Sequence, residues 1–535
     1  MEDKLNQKPC VVQKIETPQG FSVSYKDHLL YSKYNPKKNI IAAVEKLQLL
    51  PDTVFLCNSP LLGYGLTELV QKLPENCLII LCEADADLFS FSESEGIFSQ
   101  SDSKIIICQP KELSNLPFVI YDLVAKDLYK RVIRFDLSAG TQFHHDFYTK
   151  LYTACSASLM TFWKNRITLT RFGRRYSKNL FENLHYLSES KPITDYFNKI
   201  EKPIIVFGAG QSTETFIRTH KISSDKYFIL CADTALQPLL KHEINPDGVF
   251  IEEAQSVITK AFIGIPKDIH IFAGLSSIPN LAHKFGPENI SYFFTEYTKA
   301  GFIDNLKSKS FMPPANKPFG SVGLTTVYYA LQFRKNEDVP VYVTGLDFSY
   351  SIGVTHSKGA LAHILRLINT NRLQSIENYT AAFGTGCERI LDKNQKIFIT
   401  TPTLKNYADM FNSFFSSEKN LFDAGESGIP LDLPCATPQA TESRNISLQF
   451  TTFSESQKNE IKQYLDNERK SLEYLKDLLT GKISLSGDEL TQEIKTVAEH
   501  REYLYLHFAD GSKFSMNQSF LNRIRTEIDF FLKYL

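Results

Sequence analysis

Residues 203–214 read Pro-Ile-Ile-Val-Phe-Gly-Ala-Gly-Gln-Ser-Thr-Glu. Four apolar residues bounded by a proline and a glycine fit a strand buried on both faces. The segment Gly208-Ala209-Gly210-Gln211-Ser212-Thr213 then turns the chain into a helix. Strand, glycine turn and helix in that order are the repeating unit of a parallel α/β sheet. Glycines let the backbone approach a ligand closely, and free N–H groups at the helix start can hold a phosphate or carboxylate. Ser212 or Thr213 is also suited to cap that helix. The pattern is neither a P-loop, which needs GK[ST], nor a full GxGxxG. An ordinary strand-to-helix turn produces it as well.

Reading outward, 227–231 is the next strand, ending in Ala232-Asp233-Thr234. In a parallel sheet Asp233 and Thr234 would lie beside the glycine turn, at the carboxyl edge where ligands bind. Asp233 can hydrogen-bond ribose hydroxyls, orient a base or hold a metal through phosphate; equally, it can start a helix over 235–241. Strand signals follow at 248–251 and 270–273, then helical spacing over 321–333. A last strand, 341–344, has Pro340 just before it, a position that tolerates a residue unable to donate to the ladder. Gly345-Leu346-Asp347-Phe348-Ser349-Tyr350 and Gly353-Val354-Thr355-His356-Ser357-Lys358 come next. An acid, a phenol, an imidazole and an ammonium thus share one loop. Histidine can take a proton from an acceptor hydroxyl, and tyrosine can donate to a leaving phosphate. Each of these residues alone also reads as an ordinary loop residue.

The N-terminal part repeats the pattern with strands at 53–57, 78–82 and 104–108 and a Gly63-Tyr64-Gly65 turn. Glu83, at a strand end, would suit a ribose, but the glycine pattern is shortened and the fold alone is the better reading. Residues 141–200 read as a helical connector. The adjacent His144 and His145 do not share a helix face, which argues against a joint metal site. Residues 436–446 are a polar linker. The organisation is therefore an accessory Rossmann-like domain over 1–140, the connector over 141–200, a central nucleotide-binding domain over 201–435 and a helical region over 447–535. The fold class is α/β with two parallel sheets.

The 535 residues exceed what one core supports, so about two to four domains are expected. A formal net charge of -1 gives no global basic field, which argues against nucleic acid as a partner. Nine cysteines occur without a CxxC pair and read as buried free thiols in a reducing compartment. The first residues lack a signal-peptide apolar core. No apolar run approaches the ~20 residues needed to cross a bilayer. The expectation is a soluble, cytoplasmic protein, not an integral membrane one. The sequence offers no argument for a peripheral membrane surface.

GAGQS, the run 230–252 (LCADTALQPLLKHEINPDGVFIE), GSVGLTTVYYALQF, VYVTGLDFSY and THSKG together resemble the motility-associated-factor family. The match extends through 405–411 and 421–429, and the N-terminal GYGLTELV and LCEAD fit that family's accessory domain. The family is implicated in glycosylating flagellin with nonulosonic, sialic-acid-like sugars. It shares a central domain with 6-hydroxymethylpterin diphosphokinases and is similar to bacterial sialyltransferases that use CMP-sugars. The resemblance implies an inverting glycosyltransferase that needs no metal cofactor, with a nucleotide sugar and flagellin or a related protein as partners. It implies that Gly208, Gly210, Gln211, Ser212, Asp233 and Thr234 meet the nucleotide. Ala209 and Gln211 stand where the sialyltransferase loop has asparagine and proline. Ser321 and Gly323 fall in a turn near the donor, and Gly345 and Asp347 match a strand end. Tyr350 and Lys358 would steady the leaving phosphate, and His356 would be the catalytic base. The shared central domain implies an alternative: Mg²⁺-dependent diphosphate transfer to a pterin, using carboxylates from Asp233, Asp247, Glu252 or Asp347. A non-catalytic flagellar assembly protein that keeps the fold is the third reading.

Overall fold

The computed structural model describes residues 11–99, 102–376, 386–440 and 448–535. Cys10 and residues 441–446 of the expected linker lie outside them. The chain divides into two compact units, Met1–Arg171 and Phe172–Leu535. The division falls inside one helix, His145–Leu187, which occupies most of the expected connector.

In the first unit four parallel strands lie in the order Ile105–Cys108, Cys77–Cys82, Thr53–Asn58, Arg131–Asp136. The fourth is absent from the sequence reading because Arg131 and Arg134 interrupt its apolar run. Alternate side chains serve opposite faces, as the two-residue repeat of a strand requires. Val54, Leu56, Leu78 and Ile80 pack on Leu116, Ile120 and Val124 of one helix and on Tyr148 and Leu151 of the long one. Phe55, Cys57, Ile79 and Leu81 pack on Val44, Leu66 and Leu69. An antiparallel hairpin, Gln13–Thr17 with Gly20–Tyr25, precedes the sheet.

The second unit is built on eight strands, all parallel. Their order is Ala315–Asn316, Ile290–Thr295, Ile271–Gly274, Gly248–Ile251, Phe228–Ala232, Ile204–Phe207, Val341–Thr344, Leu421–Asp423. The chain starts at Ile204–Phe207, steps outward through five neighbours, then returns to the other side as Val341–Thr344. The strand order therefore reverses between those two strands, which pair Ile204 with Val341 and Phe207 with Thr344. Ligands of open α/β sheets bind in the crevice at such a reversal. One face is filled by Val206, Leu230, Phe250 and Phe272 against Leu324, Val327 and Phe333 of the helix Val322–Phe333. Phe250 stacks on Phe272 with ring centroids 4.6 Å apart.

The C-terminal region is helical, with Glu455–Leu479, Gly487–Glu499 and Gln518–Phe531 as its helices. Ser454 with Gln457, and Ser486 with Glu489, form capping boxes at the first two. Within the expected helical region the chain leaves regular helix after Glu499 and resumes it at Gln518. There Gly511 lies so close to the Tyr505 carbonyl that any Cβ would overlap it. Arg501 and Tyr503 both donate to Glu468, at 2.9 and 2.8 Å. Glu502 accepts the N–H groups of Gly301 and Phe302 at 2.7 and 3.1 Å, tying this region to the edge of the sheet.

Cys57, Cys77, Cys82, Cys108, Cys155 and Cys231 are buried free thiols, but Cys387 is half-buried and Cys435 exposed. No helix among the described residues is long and apolar enough to cross a membrane.

Candidate functional site

Two loops meet at the reversal point. Gly208 donates its N–H to the Thr344 carbonyl and Gly210 to the Gly345 carbonyl, each at 2.8 Å. A Cβ on Gly208 would overlap the Gly345 carbonyl, and one on Gly345, at φ +73°, would overlap Thr213 Oγ1. These glycines serve a backbone-to-backbone approach, which is why that turn carries them.

The helix Ser212–Thr219 is not capped by Ser212 or Thr213. Thr213 Oγ1 instead donates to the Gly208 carbonyl at 2.7 Å. The cap comes from Asp347, whose carboxylate accepts the Ser212 N–H at 2.9 Å and the Ser212 hydroxyl. Ser212 Oγ in turn accepts the Gly345 N–H at 2.8 Å. A protein carboxylate thus sits at this positive helix end, where an anionic ligand was expected. Burial raises the Asp347 carboxyl to about 6, against the opposing pull of the Ser212 hydrogen bonds. Beside it, Lys393 pairs with buried Asp423 and donates to the Gly425 carbonyl at 3.1 Å.

The segment after Asp347 folds back over the glycine turn. Ser351 N–H reaches Gln211 Oε1 at 2.9 Å, and Ser357 N–H reaches the Ala209 carbonyl at 2.8 Å. His356, half-buried, is therefore held next to the glycine turn. Burial first, then the charges of Arg366 and His363, lower its pKa to about 4, so it is neutral at pH 7 and able to accept a proton. Its Nδ1 lies 3.0 Å from Thr355 Oγ1. Lys358 is exposed. Tyr350 is buried, with its hydroxyl 3.6 Å from Cys387 Sγ and its pKa raised to about 12, chiefly by burial. Its backbone pairs with Ile399 at 2.8 Å. In this arrangement the phenol is turned into the protein, not offered to a leaving phosphate.

Asp233 is buried at the end of its strand, where it accepts the Thr234 N–H and hydroxyl at 2.6 and 2.9 Å. It does not cap the following helix. Burial raises its pKa to about 6. Two strands from the reversal, Glu252 joins Thr295 Oγ1 at 2.7 Å and Thr325 Oγ1 at 3.0 Å. It thereby fixes the first turn of Val322–Phe333, where Ser321 is the flanking residue with no side-chain cap and Gly323 packs against Leu346. Asp247 does not join these acids. It precedes the strand Gly248–Ile251, so it lies at the opposite, amino edge of the sheet, accepting the Ile229 N–H at 2.7 Å. Among the described residues no three His, Cys, Asp or Glu side chains converge as a metal site.

Sequence reasoning did not single out Lys393, Asp423 or His363. The buried atoms Thr344 Oγ1, Ser357 Oγ and His363 Nδ1 all belong to this loop system and lack a protein partner. Buried polar atoms are almost always satisfied, so open ones at a crevice mark where a ligand or water completes the structure. No local sequence signal announces them, since burial arises only when the 351–363 segment closes on the sheet.

In the first unit, Glu83 is buried under Tyr148, whose hydroxyl donates to it at 2.9 Å, and burial raises its pKa. It faces the interior, so it is not presented to a ribose. His144 lies 3.3 Å from Asp85.

The fold and crevice define an α/β protein with two Rossmann-like parallel sheets, a helical connector and a C-terminal helical region. Residues 174–353 match the family model described as 6-hydroxymethylpterin diphosphokinase MptE-like. A protein of Treponema pallidum (strain Nichols) with the name "Uncharacterized protein" is 30% identical over 552 residues, spanning 97% of this chain and 94% of that one. The chain belongs to the same family as this protein, and its central segment is an MptE-like domain. The structure of MAf glycosyltransferase from Magnetospirillum magneticum AMB-1 is similar with a TM-score of 0.55 at 12% identity, covering 98% of this chain and 90% of that chain. At that identity the likeness is one of fold.

Proposed function

We propose that this chain is an inverting glycosyltransferase that moves a nonulosonic sugar from a CMP donor to a serine or threonine of flagellin or a related protein. The observation that carries the reading is the docking of the His356 segment on the glycine turn through the 2.8 Å bond from Ser357 N–H to the Ala209 carbonyl. It sets a neutral imidazole beside the crevice at the strand reversal. In the reaction the acceptor hydroxyl gives its proton to His356 as its oxygen bonds to the anomeric carbon. The bond from that carbon to the phosphate oxygen breaks, and CMP leaves with the electron pair. Positioning and charge stabilisation carry most of such a reaction. Asp233, Thr234, Ser321 and Gly323 line the edge on which the nucleotide would lie, with Lys358 supplying a positive charge. The fold likeness to a MAf glycosyltransferase supports the reaction class. The CMP donor rests on the resemblance of these loops to sialyltransferases.

A second reading is Mg²⁺-dependent diphosphate transfer from ATP to a pterin, favoured by the MptE-like match. Asp233 and Glu252, on the carboxyl edge, would supply its carboxylates, Asp347 being engaged by Ser212.

Calorimetric titration with CMP and with ATP, each with and without Mg²⁺, separates the readings. Metal-independent CMP binding that weakens in Asp233→Ala is the expected result. Mg²⁺-dependent ATP binding with no response to CMP would move the assignment to the kinase. Silence with both would favour a non-catalytic assembly role.

A further inference from the structure

The segment that covers the glycine turn carries a second feature, on its outer side. From Phe348 to Ile376 the sequence holds Lys358, Arg366 and Arg372 and no Asp or Glu, within a chain whose net charge is -1. Positive charge is therefore local to this stretch. Within it the helix Leu361–Ile368 turns His363 inward and leaves Ile364, Leu367 and Ile368 at 40%, 51% and 71% exposure. Spacings of three and four residues put these three on one helix face. The chain then makes a turn in which Asn371 Oδ1 accepts the N–H groups of Leu373 and Gln374 at 2.9 and 3.0 Å. That turn holds Leu373 outward at 89% exposure. The inner side is anchored by the Ser357 bond to the Ala209 carbonyl. A fixed inner side and a protruding apolar outer side belong to a surface shaped for contact, since monomeric proteins rarely group large apolar side chains in water.

We infer that this face binds peripherally to an anionic lipid surface. Charge complementarity selects that occupant: the exposed Arg372 adjoins the protruding Leu373, and no carboxylate lies between Asp347 and Glu377. A short amphipathic helix with basic flanks and protruding Leu and Ile lies in the headgroup boundary of such a bilayer. A standard protein interface draws on about 20–30 residues a side, more than a two-turn helix and one turn provide. The inference is independent of the reaction assigned to the crevice.

The test is co-sedimentation of the full chain with phosphatidylcholine vesicles, with and without phosphatidylglycerol. Binding is expected only when phosphatidylglycerol is present. Ile368→Ser combined with Leu373→Ser should weaken it at least about tenfold, and Arg372→Gln about fivefold. These side chains are exposed, so an unchanged thermal midpoint is expected in every variant. Ile263→Ser, which removes a 66% exposed side chain elsewhere, should bind as the unaltered protein does. No binding to anionic vesicles overturns the inference, as does binding that the double variant retains. Loss of a self-associated species in the double variant, without vesicle binding, would assign the face to a second copy of the chain. Capture of an acidic protein in place of lipid would assign it to a protein partner. Either result overturns the lipid assignment.

Discussion

Asp347 accepts the backbone N–H of Ser212 at 2.9 Å across a sequence separation of 135 residues. The two loops flanking the strand reversal are therefore joined by a carboxylate bonded to a helix N-terminus. That bond replaces the local serine or threonine cap and fills the position where a ligand phosphate would lie in many related sheets. It leaves the loops after Phe228–Ala232 and before Val322–Phe333, with the His356 segment, to meet a ligand.

Asp347→Ala should lower stability by about 1–3 kcal/mol, because it strands the Ser212 N–H and hydroxyl in a buried place. Asp347→Asn keeps an acceptor and should lose less. Thermal denaturation of the two variants measures the difference, and equal losses would remove the cap from the account.

The same residue predicts a pH dependence. Its folded pKa, about 6, lies above the ordinary aspartate value of 3.8. The folded state thus binds the proton more tightly, so this group's contribution is most favourable at low pH and declines as pH rises through about 6. Relative to Asp347→Asn, the unaltered protein should gain stability between neutral pH and about pH 4. A difference in midpoint that stays constant over that range would contradict the assignment.

Gly345→Ala and Gly208→Ala should both cost several times more than Gly264→Ala. Gly264, at φ +73°, has nothing within 4 Å of an added Cβ and meets only the backbone penalty of roughly 1–2 kcal/mol. The other two would drive a Cβ into backbone oxygen or Thr213. Urea midpoints of the three variants give the ranking.

His356→Ala should abolish sugar transfer while CMP still binds. With a folded pKa near 4, the histidine is unprotonated from about pH 5 upward, so its acid limb in kcat/KM should lie near pH 4. Retained turnover in the variant would take the base role from His356.

Arg501→Ala should destabilise the C-terminal region by roughly 3 kcal/mol, because Glu468 would stay largely buried with only the Tyr503 hydroxyl beside it. Hydrogen exchange in Glu455–Leu479 should then rise; unchanged protection would show that the pair is dispensable.

Most of the parallel strands could be read from the sequence because continuous apolar runs ending in glycine or acid are local signals. Ile290–Thr295 and Arg131–Asp136 could not, the first because the polar Ser291 and Thr295 break its apolar run, the second because of its arginines. For the site, the strand-end loops at Gly208, Asp233 and Gly345 were legible as candidates, and the structure brings them to one edge. Asp247 and Glu83 carry the right chemistry at a strand boundary, yet one lies at the wrong edge and the other points inward.

The sequence by itself determined the two-sheet α/β class and the turns where ligands can meet backbone, since both follow from interactions within about ten residues. Only the tertiary structure decided that Asp347 caps the Ser212 helix, that His356 rests on the glycine turn and that Leu361–Ile368 keeps an apolar side in water. Those outcomes depend on the strand order, in which Val341–Thr344 returns beside Ile204–Phe207. That pairing is long-range, and no local pattern encodes it.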